Sequence, residues 1–330
     1  MLEHGGNLND AVIRFGRARE DWLDLSTGIN PHGYPVRPLA ENVWHRLPER
    51  SQVLAEAAAH YYGAPTMLPV AGTQAAIQAL PRLRRMSKVV VAAPSYAEHA
   101  HHWGRHGHLT TEIPYAELPM AVADCDVMVV CNPNNPTGAT IAPEHLLAWA
   151  DHLVARGGWL VVDEAFADTT PHTSVARWTD RPGLIVLRSI GKFFGLAGLR
   201  LGFVAAQASV LTQLEDMLGP WTVSEPAQRI GCAALRDGVW QRETRVQLLA
   251  SGRRLHELLS EHDIHATGTP LYQWWPASDA DAFWQHMAER GILVRLFSQA
   301  ARGIRLGLPP DEPGWQRLEQ ALQQWNRRTT

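Results

Sequence analysis

Seven short apolar runs punctuate residues 68–206: LPVAG near 68, KVVVAA at 88, LTTEI at 109, DVMVVC at 126, GWLVVD at 158, GLIVLRS at 183 and LGFVAA at 201. Several are continuous rather than alternating, which is the pattern of strands covered on both faces. The segments between them carry helical spacing: TQAAIQALPRLRR after Gly72, the stretch after Tyr96, PEHLLAWADHLVARGG from 143 and SVLTQLEDML from 209. Pro143 stands where a first helical turn tolerates it, and Gly157 and Gly158 follow that helix's end. Strands alternating with helices predict an α/β fold, a mostly parallel central sheet with helices on both faces. From about residue 225 the pattern changes to long helices, then strand candidates at 271–275, 291–296 and 303–308 and a last helix, which reads as a smaller α+β domain. The expected division is an N-terminal arm over 1–40 that joins the small domain, a large domain over 41–224 and the small C-terminal domain over 225–330.

Charge and composition exclude several partners. The chain carries 30 Lys and Arg against 33 Asp and Glu, a net charge of −3, so it lacks the basic excess with which nucleic-acid binders neutralise phosphates. MLEHGGNLND is not a secretory signal, and no later stretch reaches the apolar length of a membrane span, so a cytoplasmic protein with no membrane partner is expected. Cys125, Cys131 and Cys232 show no CxxC spacing and sit in apolar contexts, as buried free thiols do. In EHAHHWGRHGH, His102 and His106 are four apart and could share a helical face, but apart from Glu98 no carboxylate or cysteine completes a site; His99, His101, His102, His106 and His108 are therefore expected at the surface, with no metal.

In parallel sheets, ligands gather at the carboxyl ends of strands, so polar residues just after apolar runs carry the most information. AGTQ, residues 71–74, closes a strand and opens a helix; the amides of Gly72, Thr73 and Gln74 would suit an anion there, and a plain turn capped by Thr73 is the alternative. Tyr96 follows KVVVAAP and could lie against a flat ligand or in the core. In CNPNNPTG, residues 131–138, two asparagines each stand before a proline, which suggests amides held at a fixed angle. Asp163 ends the apolar strand of VVDEAF, where a carboxylate is costly without a cationic partner, whether ligand or structural ion pair. The glycine-rich run SIGKFFGLAGLRLG holds Lys192. It is not an ATP-type phosphate loop, since Leu187 stands where a glycine is needed and Phe193 where a Ser or Thr is needed. Ser189 three residues before the lysine and Arg200 eight after supply two phosphate donors beside one amine, the equipment for an aldehyde cofactor bearing a phosphate.

Taken in series, GTQ, Tyr96, NPNNPTG, VVDEAF and SIGKFFGLAGLRLG resemble the pyridoxal-phosphate enzymes of the aspartate aminotransferase fold, over nearly the whole chain. The resemblance implies an aspartate-aminotransferase-like fold and pyridoxal 5'-phosphate (PLP) as cofactor. It implies that Lys192 forms a Schiff base with the cofactor aldehyde, that Asp163 pairs with the protonated pyridine nitrogen, that Asn135 hydrogen-bonds the phenolic oxygen and that Tyr96 stacks on the ring. Gly72, Thr73, Gln74, Ser189 and Arg200 would hold the cofactor phosphate. Two positions depart from the pattern: Phe166 stands where many relatives have a tyrosine that touches the phenolic oxygen, and Leu47 where relatives send a tyrosine to the partner subunit's cofactor phosphate.

HGGN at 4–7, DLSTGINPHG at 24–33, GPWTVSEPAQ at 219–228 and DEAF further resemble the threonine-phosphate decarboxylases of cobalamin biosynthesis, close relatives of histidinol-phosphate aminotransferases. That branch implies a PLP-dependent lyase converting L-threonine O-3-phosphate to (R)-1-amino-2-propanol O-2-phosphate, the linker precursor of the cobalamin nucleotide loop; a histidinol-phosphate-type class II aminotransferase is the alternative. It also implies that Arg295 in GILVR and Arg305 in GIRLG bind substrate phosphate and carboxylate, that His4 and Asn30 on the arm add contacts, and that the enzyme is a homodimer.

Overall fold

The computed structural model describes residues 5–298 and 301–329. They form two compact units: one takes the chain up to His32, Pro136–Gly138 and Thr244 onward, the other Gly33–Asn135 and Ala139–Glu243. Helix α1 (Leu8–Phe15) and strand β1 (Leu23–Asp24) open the first unit. The second unit then runs α2 (Gln52–Tyr62), β2 (Met67–Val70), α3 (Thr73–Ala79), β3 (Lys88–Ala93), α4 (Glu98–Arg105), β4 (Leu109–Pro114), α5 (Leu118–Ala121), β5 (Val127–Cys131), α6 (Pro143–Val154), β6 (Trp159–Asp163), β7 (Leu184–Ser189), β8 (Gly202–Ala205), α7 (Ala208–Leu218) and α8 (Glu225–Arg236). Helix α9 (Gly238–Ser260) leads to β9 (Thr267–Thr269), β10 (Tyr272–Pro276), α10 (Ala280–Glu289), β11 (Ile292–Leu293), β12 (Arg295–Phe297), β13 (Gly303–Gly307) and α11 (Glu312–Thr329).

In the larger unit all seven apolar runs are strands of one sheet, ordered β2-β8-β7-β6-β5-β3-β4. Only β8 runs against its neighbours, pairing antiparallel with both β7 and β2. One face of the sheet packs Val127, Val129, Val161, Ile185 and Leu187 against Ala76 and Ile77 of α3, Trp103 of α4 and Leu211 and Leu214 of α7. Their alternate neighbours Met128, Val130, Leu160 and Val162 are buried too, so both faces are covered and the runs read as continuous. The edge strand β4 is largely exposed. Register places the functional ends in one row: Cys131 opposite Asp163, Ser189 opposite Gly202, and Gly202 opposite Val70.

A buried ionic network ties the ends of β6 and β7 together. Arg188 Nη1 donates to Glu164 Oε2 at 2.7 Å and Nη2 lies 3.1 Å from Asp168 Oδ1, with all three side chains at most 2% exposed. Burial alone opposes the guanidinium's charge, and Asp168 and Glu164 more than restore it, so Arg188 is held above its ordinary pKa. Glu164 also accepts from the Val175 backbone N–H at 2.7 Å.

The smaller unit holds an antiparallel sheet ordered β12-β13-β10-β9 and a two-stranded parallel pair, in which Leu23 and Asp24 lie opposite Ile292 and Leu293. The N-terminal arm is thus stitched to the far end of the chain, and Ala11 and Trp22 share a small core with Ala288 and Leu293. The units divide at 32/33 and 243/244, where the sequence pattern drew 40 and 224. The reason is that α8 seats on α2: a Cβ at Gly231 would lie 3.5 Å from the Leu54 side chain of α2 and 2.3 Å from that of Leu201, so the glycine keeps the packing there close. Among the described residues, no helix is long and apolar enough to cross a membrane.

Candidate active site

The strand ends and the loops that follow them bring Gly72, Thr73, Gln74, Tyr96, Asn135, Asp163, Ser189, Lys192 and Arg200 around one cavity of about 150 Å³ in the larger unit. Its anion end is built from close backbone approaches. Gly72 precedes α3 with φ +73°, and a Cβ there would lie 2.8 Å from Arg200 Nη2. A Cβ on Gly202 would meet the Thr73 backbone nitrogen at 2.6 Å. Glycine at both positions lets the Arg200 guanidinium sit beside the first N–H groups of α3, so a fixed charge and unsatisfied donors converge on one spot. Arg200, itself in the left-handed region at φ 52°, is braced by its Nη1 donating to Ala197 O at 3.1 Å. Ser189 Oγ accepts from Gly191 N at 3.2 Å, which fixes the turn that carries Lys192.

At the opposite end Asp163 is 5% exposed. Its Oδ1 accepts from Ala165 N at 3.1 Å and its Oδ2 from His99 Nε2 at 2.9 Å. Burial opposes charge on His99, but its bonds to Asp163 and Cys131 overcome that and raise its pKa to about 10. Asp163 is therefore paired with a cation at neutral pH, the partner that its buried position requires. Ser95 Oγ donates to Cys131 Sγ at 3.1 Å, which extends the line. His99, Cys131 and Asp163 bring nitrogen, sulfur and oxygen atoms within 4.8 Å of one another.

The expectation of surface histidines needs correcting. His101 and His106 are exposed, but His99 and His102 are buried because α4 turns its 98, 99, 102 and 103 positions toward the sheet, and His108, between α4 and β4, is buried as well. His102 Nε2 donates to Glu98 Oε2 at 2.9 Å; His108 Nδ1 accepts from Ser87 N at 3.2 Å and its Nε2 donates to Pro81 O at 2.9 Å. These histidines were hidden because polar residues leave no mark on an apolar periodicity. His99 is the functional candidate that sequence reasoning missed; its position three residues after Tyr96 on a helix was the available signal.

Lys192 and Lys88 are the only lysines in the sequence, and Lys88 stands exposed at the opposite end of β3 from the cavity. Lys192 Nζ lies 5.3 Å from the centre of the Phe166 ring, so the phenylalanine standing in place of a tyrosine offers a π face instead of a hydroxyl. Tyr96 donates its hydroxyl to Gln74 Oε1 at 3.2 Å. Burial first, then Glu98 and Asp163, push its phenol up to about 12, so the ring is a neutral surface and not a base. In the asparagine-proline turn the labour is divided. Asn132 exchanges two hydrogen bonds with the Ile141 backbone and Asn134 Nδ2 donates to Pro94 O at 2.9 Å, while Asn135 lines the cavity. Leu47 is 63% exposed.

The remaining expected residues lie in the smaller unit. Arg295 and Arg305 sit opposite each other on β12 and β13. Arg305 is buried, its Nη2 donates to Ser26 O at 2.8 Å, and its guanidinium carbon stands 5.2 Å from the Tyr272 ring centre. Burial lowers its pKa to about 10; Tyr272 and Asp24 oppose that shift and the like charge of Arg295 adds to it. Two adjacent cations, one of them desolvated, form a natural anion-binding pair. Asn30 is buried, and its Oδ1 accepts from His32 N at 2.9 Å. His4 lies outside the described residues.

Comparison with known proteins agrees on family and fold. Residues 21–319 match the family described as Aminotransferase class I and II. The chain is 52% identical over 323 residues to a protein of Pseudomonas aeruginosa named threonine-phosphate decarboxylase, covering 98% of this chain and 97% of that one. It is 42% identical over 334 residues to a Sinorhizobium protein of the same name, covering 97% of each. Among solved structures, the L-threonine-O-3-phosphate decarboxylase of Porphyromonas gingivalis superposes with TM-score 0.77 at 19% identity, covering 91% of this chain and 98% of that one. The histidinol-phosphate aminotransferase of Sinorhizobium meliloti, solved with pyridoxal-5'-phosphate, superposes with TM-score 0.84 at 20% identity over 100% of this chain and 96% of that one.

Proposed function

The chain belongs to the class I and II aminotransferase family, and we propose that within it this protein is a PLP-dependent lyase, a threonine-phosphate decarboxylase. It removes the carboxylate of L-threonine O-3-phosphate to give (R)-1-amino-2-propanol O-2-phosphate, a step of cobalamin biosynthesis. The observation that carries the reading is the 52% identity, over nearly the full length of both chains, to a protein of that name.

The residues present fit the cofactor. The cradle that a Cβ at Gly72 would fill, the Arg200 guanidinium beside it and the first N–H groups of α3 suit a phosphate dianion. Asp163, hydrogen-bonded by His99, suits a protonated ring nitrogen, and Lys192 is the one lysine of the cavity. When bound, the cofactor supplies an aldehyde for amines to join and a ring that accepts the electron pair of the bond broken at Cα. Lys192 would hold the aldehyde carbon, yield it to the substrate amine and return a proton to Cα where carbon dioxide has left. Asn135 would hold the phenolic oxygen, Tyr96 the ring face, and Gly72, Thr73, Gln74, Ser189 and Arg200 the phosphate. Arg295 and Arg305, with Asn30 and His4, would bind the substrate's phosphate and carboxylate.

A homodimer is the proposed assembly. Exposed Trp44, Leu47 and Trp221 on the larger unit offer apolar surface for a second copy. A cytoplasmic setting is proposed as well, in keeping with three free cysteines. The test sets two substrates side by side. Threonine phosphate alone should be converted, and histidinol phosphate with 2-oxoglutarate should give no glutamate; glutamate formation with untouched threonine phosphate would assign the aminotransferase reaction instead.

A further inference from the structure

Two lines of hydrogen bonds run from α4 toward the cavity. One is His99 to Asp163. The other starts from Glu98 and His102, to which the proposed reaction assigns no role, and reaches Gln74 and Tyr96. Glu98 Oε2 accepts from His102 Nε2 at 2.9 Å, one helical turn on, and from Gln74 Nε2 at 2.6 Å. Gln74 Oε1 accepts in turn from the Tyr96 hydroxyl at 3.2 Å. The Glu98 and His102 side chains are only 12% and 11% exposed.

The hydrogen bonds give this line a polarity: Gln74 turns its NH2 toward Glu98 Oε2, the oxygen that His102 Nε2 also meets. The Gln74 carbonyl then faces Tyr96, and the phenol must donate to it. Without the carboxylate the Gln74 amide could turn over, and the tyrosine hydroxyl would lose the acceptor that orients it where the ring lines the cavity. The same bonds occupy both ends of the Gln74 side chain, which leaves its backbone N–H, in the first turn of α3, to meet an anion.

We propose that Glu98 and His102 are positioning residues that set the direction of the Gln74 amide and, through it, hold the Tyr96 ring against the cofactor face, so that Gln74 meets the cofactor phosphate by its backbone alone. The inference rests on the cofactor reading given above. The test needs no substrate. Apo-protein of wild type, Glu98→Ala, Gln74→Ala and the double variant is titrated with PLP, and the affinity and the visible circular dichroism of the bound cofactor are recorded.

Each single variant weakens binding by about tenfold and diminishes the dichroic band, the effect of one lost hydrogen bond to a charged group. The double variant binds no worse than either single one, because both changes break the same line. Glu98→Gln, which keeps an acceptor for Gln74, restores affinity to within about threefold of wild type. Effects that multiply in the double variant, or a wild-type dichroic band in Glu98→Ala, overturn the proposal. Should Glu98→Ala not fold, Glu98→Met, similar in volume and lacking an acceptor, replaces it in the same cycle with Gln74→Ala. A wild-type protein that binds no PLP would instead overturn the cofactor reading, a result distinct from an additive cycle in a protein that does bind.

Discussion

Replacing Gly72 by alanine separates two consequences of one close approach. Gly72 lies at φ 73° and ψ 156°, a region essentially confined to glycine, so alanine there costs on the order of 1–3 kcal/mol. That strain is present with or without cofactor and lowers stability in both forms alike. The contact is different, because the new Cβ would lie 2.8 Å from Arg200 Nη2 and the guanidinium must move off the anion end of the cavity. Losing one charge-assisted hydrogen bond to a phosphate costs roughly 1.5–3 kcal/mol, or about 10- to 100-fold in affinity. Isothermal titration of apo-protein with PLP and with pyridoxal, which lacks the phosphate, distinguishes the two effects. We expect Gly72→Ala to lose about 10- to 100-fold for PLP and little for pyridoxal, with a matching drop in urea stability of the apo form. Equal losses for both ligands, or none for PLP, would refute the assignment of Arg200 and the α3 terminus to the phosphate.

Borohydride reduction of the holo-protein should fix the cofactor on the peptide containing Lys192 and leave Lys88 unmodified; in Lys192→Ala no peptide should carry the label. His99, raised from 6.5 to about 10, stabilises the fold fully below pH 6.5, and that contribution is lost progressively as pH rises toward 10. Wild-type thermal stability should therefore fall more steeply between pH 7 and 10 than that of His99→Gln, and parallel slopes would exclude a charged His99. Arg188→Met leaves Glu164 and Asp168 buried without their cation and should cost about 3–5 kcal/mol in urea unfolding; a loss under about 1 kcal/mol, the range of exposed pairs, would show that the network is hydrated.

The central sheet was legible because its strands are apolar on both faces and end in residues that no core needs. Asp163 and Ser189 announced themselves by closing apolar runs, and parallel register brings such ends to one edge. Elements held by distant partners were not legible. Strand β1 is two residues long and exists through its pairing with Ile292 and Leu293, and β9, reading TGT, has no apolar signal at all. It forms because Gly268 lets the backbone pass close to Tyr272, where a Cβ would lie 2.1 Å from the carbonyl oxygen. The boundary near 243 was missed for a related reason: α8 belongs with α2 by packing, and its sequence looks no different from α9. In the cavity, the residues that touch a ligand were readable from position, while their supports were not. Glu98, His99 and His102 look like solvated polar residues until α4 is seen to face them inward.

The most direct test of the proposed reaction follows the carboxyl carbon. Purified holo-protein is given L-threonine O-3-phosphate labelled with carbon-13 in the carboxylate, with no oxo-acid present, and gas and product are quantified together. Labelled carbon dioxide and unlabelled 1-amino-2-propanol phosphate should appear in equal amounts over many turnovers. Retention of the label in an oxo-acid product, with the amino group left on the enzyme after a single turnover, would contradict a decarboxylase.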